Sequence, residues 1–204
     1  ETASLHPVTY FGGAVITTTT PKFGTGALLF DGVNDYITLE PHADWNVFAR
    51  LGEDWTIDFW VKHVSTATAS YYMRHLFDIN NAWAIYHTAA NEIVEVDLGG
   101  SAVIAMVGTG ISDINYHHIA MVKVAGVASS PCGLYVDGVQ IAYDALLPQQ
   151  ILDITGTLYV GQYGTAAQFF SGRMDGIRIS KSNVFATIPT VGITDTFTVP
   201  VAEP

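Results

Sequence analysis

The hydrophobic residues of this chain alternate with polar ones over many short segments. The clearest is WTIDFWVKH, residues 55–63, in which every second side chain is large and apolar. Because successive side chains of a β-strand point to opposite faces, this alternation predicts a strand with one buried face. The buried face is predicted to carry Trp55, Ile57, Phe59 and Val61, and the other face Thr56, Asp58, Trp60 and Lys62.

Similar segments recur along the chain, separated by turns rich in Gly, Asn, Asp and Ser. Many are rich in Val, Ile, Tyr and Phe, which favour a pleated, half-buried surface. No segment keeps a helical period over three turns, and residues 42–49 are predicted to form a single turn of helix. We therefore predict an all-β protein, a two-sheet antiparallel β-sandwich of the jelly-roll type.

The dipeptide Asp-Gly occurs three times beside strand-like sequence. At 137–138 it separates two strands, which predicts a hairpin with a type I′ turn. At 31–32 it is followed by Asn-Asp, which indicates a longer turn. At 175–176 it lies inside a strand pattern, where Gly often marks a bulge or a close approach of backbones.

The chain has 204 residues and no linker-like stretch in its middle, which favours one domain. We predict a single sandwich domain over residues 1–186. Residues 187–204 contain three Pro and little charge, and are predicted to form an extended tail that packs along the domain or reaches a neighbour.

The composition and net charge of the chain exclude some classes of binding partner. Charged residues make up 13% of the chain, about half the usual share, and the net charge is −11. Such a field repels phosphate backbones, so nucleic acid is not an expected partner. No apolar run approaches the ~20 residues of a membrane-spanning helix. The low charge favours an extracellular or virion-surface location.

Six segments of the chain carry a resemblance to a known family. In chain order they are KFGTGALLFDGVNDYITLE, WTIDFWVKH, YHHIAMVKV, GLYVDGVQI, LYVGQ and FFSGRMDGIRISKSNVF. In this order they are similar to segments of laminin-G-like, concanavalin A-like lectin/glucanase domains. The resemblance covers residues 22–185 and implies a curved two-sheet sandwich. The fold carries lectins, adhesion domains, glucanases and lyases, so it implies no single activity. The C-terminal sequence ISKSNVFATIPT also resembles the ends of such domains in phage virion proteins.

The strongest candidate for catalytic chemistry is EIVEVDLGG, residues 92–100. Glucanases of this fold carry two carboxylates on one face of a strand, close enough for a retaining glycosidase. Here Glu95 and Asp97 share a face, Glu92 falls on the other, and Gly99 or Gly100 stands where the second Glu should follow. We therefore predict no catalytic residues; the alternative is a polysaccharide-active glucanase or lyase of the same fold.

We predict structural roles for an adjacent pair of histidines and for the single cysteine. His117 and His118 are adjacent on a predicted strand, so they point to opposite faces and cannot clamp one ion together. Cys132 is the single cysteine, which excludes an internal disulfide, and it is predicted to be a small buried or edge residue.

A structural calcium ion is the cofactor that the resemblance implies. In many domains of this fold an Asp in the Gly-x-apolar-Asp strand helps hold Ca²⁺, and Asp175 matches that position, with Asp31 as a candidate partner. The alternative is that Asp175 ties down a loop by accepting hydrogen bonds from backbone N–H groups.

Ligand binding is predicted to use aromatic and polar side chains, because sugar rings stack on aromatic rings and their hydroxyls need polar partners. The competing interpretation, favoured for most aromatics, is packing beneath loops or at a subunit interface. The predicted ligand-binding residues are Trp60, Asp58, Tyr72, Tyr86 and Tyr135.

The sequence thus predicts a non-catalytic recognition or structural module. A virion surface, such as a tail fibre or capsid decoration, or an adhesin is the expected setting. The partners would be glycans or neighbouring subunits, in an oligomer or larger assembly whose repeated copies offset weak affinity at each site.

Overall fold

A computed structural model describes residues 6–46, 52–77, 80–90, 92–97, 104–146, 156–163 and 168–202. These residues form fourteen strands and one short 3₁₀ helix, α1, at Ala43–Trp45. The strands are β1 Val8–Phe11, β2 Val15–Thr17, β3 Ala27–Asp31, β4 Tyr36–Leu39, β5 Trp55–His63, β6 Ser70–Phe77, β7 Asn80–His87, β8 Glu92–Asp97, β9 Ile104–Thr109, β10 Tyr116–Lys123, β11 Ser130–Val136, β12 Val139–Leu146, β13 Leu158–Val160 and β14 Ser171–Ser180.

The strands make two antiparallel sheets of seven, which confirms the predicted all-β sandwich. Sheet A has the order β1-β4-β13-β6-β7-β8-β9, and sheet B has the order β12-β11-β10-β5-β14-β3-β2. Sequential neighbours such as β6-β7-β8-β9 alternate with pairs from distant parts of the chain, such as β4-β13 and β5-β14, as expected for a jelly roll. Within the described ranges, no helix has the length and apolar character needed to cross a membrane.

The main core lies between the two sheets and follows the predicted alternation of β5. Ile57, Phe59 and Val61 are completely buried there, against apolar residues of β6, β7 and β13. β5 lies between β10 and β14 in sheet B, so both of its edges are hydrogen-bonded. A second apolar cluster lies on the outer face of sheet B, where Ala120, Val122 and Tyr135 meet Phe185 and Phe197.

The three Asp-Gly dipeptides have the three backbone roles that the sequence predicts. Residues 137–138 form the β11–β12 turn with φ values of +50° and +78°, the signs that a type I′ turn requires. At 31–32 the Asp31 carboxylate accepts the N–H groups of Val33 and Asn34 and organises a longer turn. At 175–176 the register of β14 against β5 shifts, with Gly176 at φ +56°, so the strand is bulged.

The segment after β14 turns back over the outer face of sheet B. The Phe197 N–H donates to the carbonyl of Gly138, and the Gln140 N–H donates to that of Asp195. Thr196 forms an isolated antiparallel bridge with Val139. These contacts hold residues 195–197 against the β11–β12 hairpin. We call residues 181–199 the C-terminal cover.

The predicted turn of helix at 42–49 is confirmed in part. Helix α1 begins after His42, whose side chain accepts the Asp44 N–H and caps the turn. It ends at Trp45, a buried residue whose indole N–H donates to the carbonyl of Glu40. Residues 47–49 of the prediction lie outside the described residues.

Candidate functional site

Asp58 and Trp60 lie on the outer face of sheet B, as the alternation of β5 predicts. Yet Asp58 is 1% exposed and Trp60 is 5% exposed. Both therefore have neighbours above the sheet as well as within it. The identity of these neighbours decides what the two side chains can do.

Asp58 is the centre of a buried ionic cluster. The Arg178 guanidinium donates to both of its carboxylate oxygens, from Nε at 2.8 Å and from Nη2 at 3.0 Å. His118 Nε2 lies 3.1 Å from Oδ2. Two-pronged pairing of this kind holds a carboxylate in a fixed orientation. The arrangement explains Asp58 as a residue that fastens β5 to β10 and β14.

Trp60 is covered by the loop that precedes β3. The Lys22 ammonium lies 3.7 Å from the centre of the indole ring, a cation–π contact. The Phe23 ring meets the indole edge-on at 5.8 Å, and the His118 ring lies 5.1 Å away. Trp60 therefore packs under this loop and offers no ring face to a ligand in this structure.

Tyr135 and Tyr72 are both fully buried. Tyr135, on β11, lies on the outer face of sheet B, and Tyr72, on β6 of sheet A, lies in the core between the sheets. The Tyr135 hydroxyl donates to Asp195 at 2.8 Å beneath the C-terminal cover. The Tyr72 hydroxyl lies 2.7 Å from Nε2 of His63, between the sheets. Burial raises the pKa of both phenols above the usual value. Four of the five predicted ligand-binding residues thus have packing contacts and no ligand-facing surface in this structure.

Tyr86, the fifth, belongs to an aromatic row on the outer face of sheet A. Its ring stacks on that of Tyr71, with centres 4.6 Å apart and planes 14° apart. Tyr71 in turn contacts Tyr163, whose ring centre is also 4.6 Å away. We call this row the tyrosine surface. Its members are Tyr36, Tyr71, Tyr86, Tyr159 and Tyr163.

Arg74 anchors the middle of the tyrosine surface. Its guanidinium carbon lies 4.6 Å from the centre of the Tyr163 ring, and its Nη1 donates to the Tyr163 carbonyl. On the neighbouring strand β13, Tyr159 is directly opposite Arg74. Burial, and then the nearby Tyr86 and Tyr163, raise the pKa of Tyr71. The Tyr71 phenol therefore stays neutral beside the Arg74 guanidinium.

The other end of the row is built by β1 and β4. The Phe11 ring stacks on Tyr36 with centres 4.4 Å apart and planes 5° apart. The Tyr36 ring lies 6.2 Å from Tyr159 and 6.4 Å from Phe169. The aromatic row thus crosses sheet A from β1 to β7.

Sequence reasoning missed most of this row, although part of it carried a signal. In DYITL and LYV the apolar residues Ile37, Leu158 and Val160 point into the core, so Tyr36 and Tyr159 must point outward. Tyr163 had no such signal, because it lies in a loop after β13. Its position over Tyr71 is set by the fold.

The predicted calcium ligands do not fit a cation. The Asp175 Oδ2 accepts the N–H groups of Lys22 and Phe23 at 2.7 and 3.0 Å, and Oδ1 accepts that of Gly176 at 2.8 Å. The Asp31 Oδ1 is likewise directed at backbone N–H groups. Calcium needs six to eight oxygen ligands, whereas these carboxylates face positively polarised hydrogens. The geometry is that of the loop-tying alternative.

A different group of potential metal ligands lies beside helix α1. Among the described residues it is the group of three that brings donor atoms within 4.8 Å of one another: His6, His42 and Asp44. A second surface group is arranged differently. His117 contacts Asp137 through Nδ1 at 2.7 Å and Asp113 through Nε2 at 3.0 Å, so its two ring nitrogens point at different carboxylates.

The predicted non-catalytic residues can be placed in part. His118 lies with Asp58 on the outer face of sheet B while His117 faces the other way, and Cys132 is buried in the core. Glu92 lies beside Thr88, whose hydroxyl donates to it at 3.2 Å. The side chains of Glu95 and Asp97 lie outside the described residues.

Three comparisons with known proteins bear on the family. A search of curated proteins finds no match to this chain. Solved structures with the same fold include the receptor-binding domain of botulinum neurotoxin D, with 10% identity and a TM-score of 0.66 over 87% of this chain and 44% of that one. The binding domain of botulinum neurotoxin G matches with 10% identity and a TM-score of 0.64, over 87% and 43%.

The binding domain of Paraclostridial Mosquitocidal Protein 1 matches at 16% identity, with a TM-score of 0.63 over 87% of this chain and 44% of that one. The chain spans less than half the length of these structures, and identities this low establish a shared fold alone. The family Laminin_G_3, described as the concanavalin A-like lectin/glucanases superfamily, matches residues 31–186. The chain therefore belongs to this superfamily.

Proposed function

We propose that this protein is a non-catalytic recognition module that binds neutral glycans through the tyrosine surface of sheet A. The observation that carries the proposal is the aromatic row from Phe11 to Tyr86. Tyr163 is 36% exposed and Phe11 is 38% exposed, so the row reaches solvent at two places. Aromatic rings present apolar faces to sugar rings, while phenol hydroxyls supply hydrogen bonds.

The charge of the chain favours neutral rather than polyanionic sugars. Nineteen acidic residues stand against eight basic ones, and Arg74 already binds the Tyr163 carbonyl and ring. A sulphated or uronic acid polymer would meet a repulsive field. Glycan binding in general is supported by a protein of the same fold: cell entry of botulinum neurotoxin type C depends on interaction with two ganglioside molecules.

A glycan array tests this proposal. The wild-type chain should bind a set of neutral glycans, and Tyr163→Ala and Phe11→Ala should each weaken binding about tenfold or more, as expected for loss of a stacking contact. Tyr143→Ala is the matched control, because Tyr143 lies on β12 at the edge of the other sheet. An array without hits, or equal weakening by all three variants, would contradict the proposal.

An assay on laminarin and alginate separates recognition from catalysis. The superfamily name includes glucanases, and Glu95 is the carboxylate that the sequence singled out. We expect no hydrolysis or elimination. Turnover by the wild-type chain that disappears in Glu95→Gln would establish the enzymatic alternative instead.

A second role, assembly with further copies of this chain, is favoured by strands β1 and β2 and the short turn that joins them. β1 is the edge of sheet A and β2 is the edge of sheet B, and residues 7–20 contain no charged side chain. Val15 and Ile16 are exposed, Ile16 by 53%. Edge strands are usually protected by charge or Pro, so an uncharged apolar edge favours pairing with another strand.

Light scattering tests the assembly role. The wild-type chain should form an oligomer that Ile16→Lys converts to a monomer, whereas Val127→Lys, at a fully exposed loop position, should leave the mass unchanged. A wild-type monomer at high concentration would exclude self-assembly through these edge strands. Repeated copies on a virion or cell surface would provide the avidity that weak glycan sites need, and co-purification with such a particle would place the protein there.

A further inference from the structure

His6, His42 and Asp44 converge on the surface where the segment before β1 meets helix α1. His6 Nε2 lies 3.1 Å from Asp44 Oδ2, and His42 Nδ1 lies 3.1 Å from the same oxygen. One donor atom from each residue falls within 4.8 Å of the others. The three side chains come from two segments that are about 36 residues apart, so their meeting is a product of the fold.

We propose that these three residues bind a divalent transition-metal ion of the Zn²⁺ type, with water completing the coordination. Two imidazole nitrogens and one carboxylate oxygen are the donors that Zn²⁺ prefers. Bonds of about 2.0–2.2 Å in a tetrahedral site separate neighbouring donors by about 3.4 Å. The two separations of 3.1 Å are close to this value, so a small outward movement admits the ion.

Asp44 is positioned for this role by a second contact. The Lys181 ammonium donates to Oδ1 at 2.8 Å, which leaves Oδ2 directed at the two imidazoles. This hydrogen bond is also the main reason why the pKa of Asp44 lies below its usual value, so the carboxylate is ionised at neutral pH. Outer contacts that orient a ligand in this way are a regular feature of metal sites.

The two imidazoles have a rigid support. The His6 ring lies 4.6 Å from the buried Trp45 indole, and the His42 ring lies 6.3 Å from it. The His42 Nδ1 now accepts the Asp44 N–H at 3.1 Å, and a metal at this nitrogen would replace that bond. Because the N–H is near the surface, water can take over as its acceptor.

This site is distinct in chemistry from the predicted calcium ligands. Imidazole is a poor ligand for Ca²⁺, which binds oxygen donors. The bound ion would connect the segment before β1 to the turn that follows β4. Metal binding would therefore stabilise the N-terminal edge of the sandwich, where the uncharged segment that contains β1 and β2 begins.

Isothermal titration of the full chain with ZnCl₂ tests the proposal. We expect one bound ion, and a loss of affinity of at least tenfold in both His42→Ala and His6→Ala. Titration with CaCl₂ should give the same heat for the wild-type chain as for the two variants, because Ca²⁺ should not bind at these residues. Zn²⁺ should also raise the melting temperature of the wild-type chain and not that of the variants.

His117→Ala is the matched control. The chain has seven His, of which four are buried and three, His6, His42 and His117, are not. His117 contacts two carboxylates through opposite nitrogens and does not bring three donors together, so its removal should leave Zn²⁺ affinity unchanged. No binding by the wild-type chain, or equal weakening by all three variants, would overturn the proposal. Circular dichroism verifies that each variant is folded.

Discussion

The two outer faces of the sandwich differ in what covers them. On sheet B, the C-terminal cover and the loop before β3 enclose Trp60, Asp58 and Tyr135. On sheet A, the tyrosine surface stays accessible at Tyr163, and so does Phe11, which stacks on Tyr36. Both faces carry aromatic residues at the outward-pointing positions of their strands. The two faces therefore have the same alternation of side chains and differ in which segments cover them.

This difference shows that an outward-pointing aromatic residue is not necessarily an exposed one. Phe185 and Phe197 stack on each other with centres 4.0 Å apart and close the outer face of sheet B, making a second small core. The proposed recognition surface therefore lies on sheet A, and the covered face of sheet B contributes to stability.

Asp58→Ala should destabilise the fold most, because it leaves the Arg178 guanidinium without its counter-charge and removes the carboxylate that contacts the buried His118. Removing one member of a buried ion pair costs about 3–5 kcal/mol. Urea unfolding should show a midpoint shift of this size. Asp113→Ala removes an exposed carboxylate that contacts His117 and should leave the midpoint unchanged. A small effect of Asp58→Ala would mean that the covered face contributes little to stability.

Acid should lower the free energy of unfolding, because His63 and His75 are buried in the protein. Burial lowers the pKa of His63 and of His75 to about 4, below the usual 6.5. The unfolded chain therefore takes up protons between pH 6.5 and 4 that the folded chain does not, and stability falls as pH falls through this window, by on the order of 3 kcal/mol for each histidine.

Urea unfolding from pH 8 to pH 4.5 measures this loss, and His63→Gln or His75→Gln should reduce its slope. His117→Gln is the control with the opposite sign, because Asp137 and Asp113 raise the pKa of His117. Its contribution is present below pH 6.5 and is lost as pH rises through the raised pKa. An unchanged acid slope in both interior variants would contradict the prediction.

Phe197→Ala and Tyr163→Ala compare the two faces directly. Phe197 contacts Phe185 and Tyr135 in the covered cluster, so its truncation should cost about 2 kcal/mol. Tyr163 is exposed at the edge of the open row, and its truncation should cost about 1 kcal/mol or less while reducing glycan binding. Equal losses of stability would show that the two faces are packed alike.

Local sequence was a good guide wherever neighbouring residues decide the outcome. The type I′ turn at 137–138 follows from Asp-Gly, since the local backbone needs positive φ. The buried face of β5 follows from its period of two. The bulge at 175–176 follows from a Gly inside a strand pattern. The ligand-binding predictions were less informative, because Trp60, Asp58, Tyr72 and Tyr135 owe their burial to distant segments.

The sequence by itself determined the strands, their inward faces, the turns between them and the family, because alternation and turn chemistry act over a few residues. The tertiary structure decided which outward face stays open, and that His6 meets Asp44 while Arg178 meets Asp58. These contacts join residues 38 and 120 positions apart. Coverage and convergence depend on where long connections cross the sheets, and a local pattern contains no information about that path.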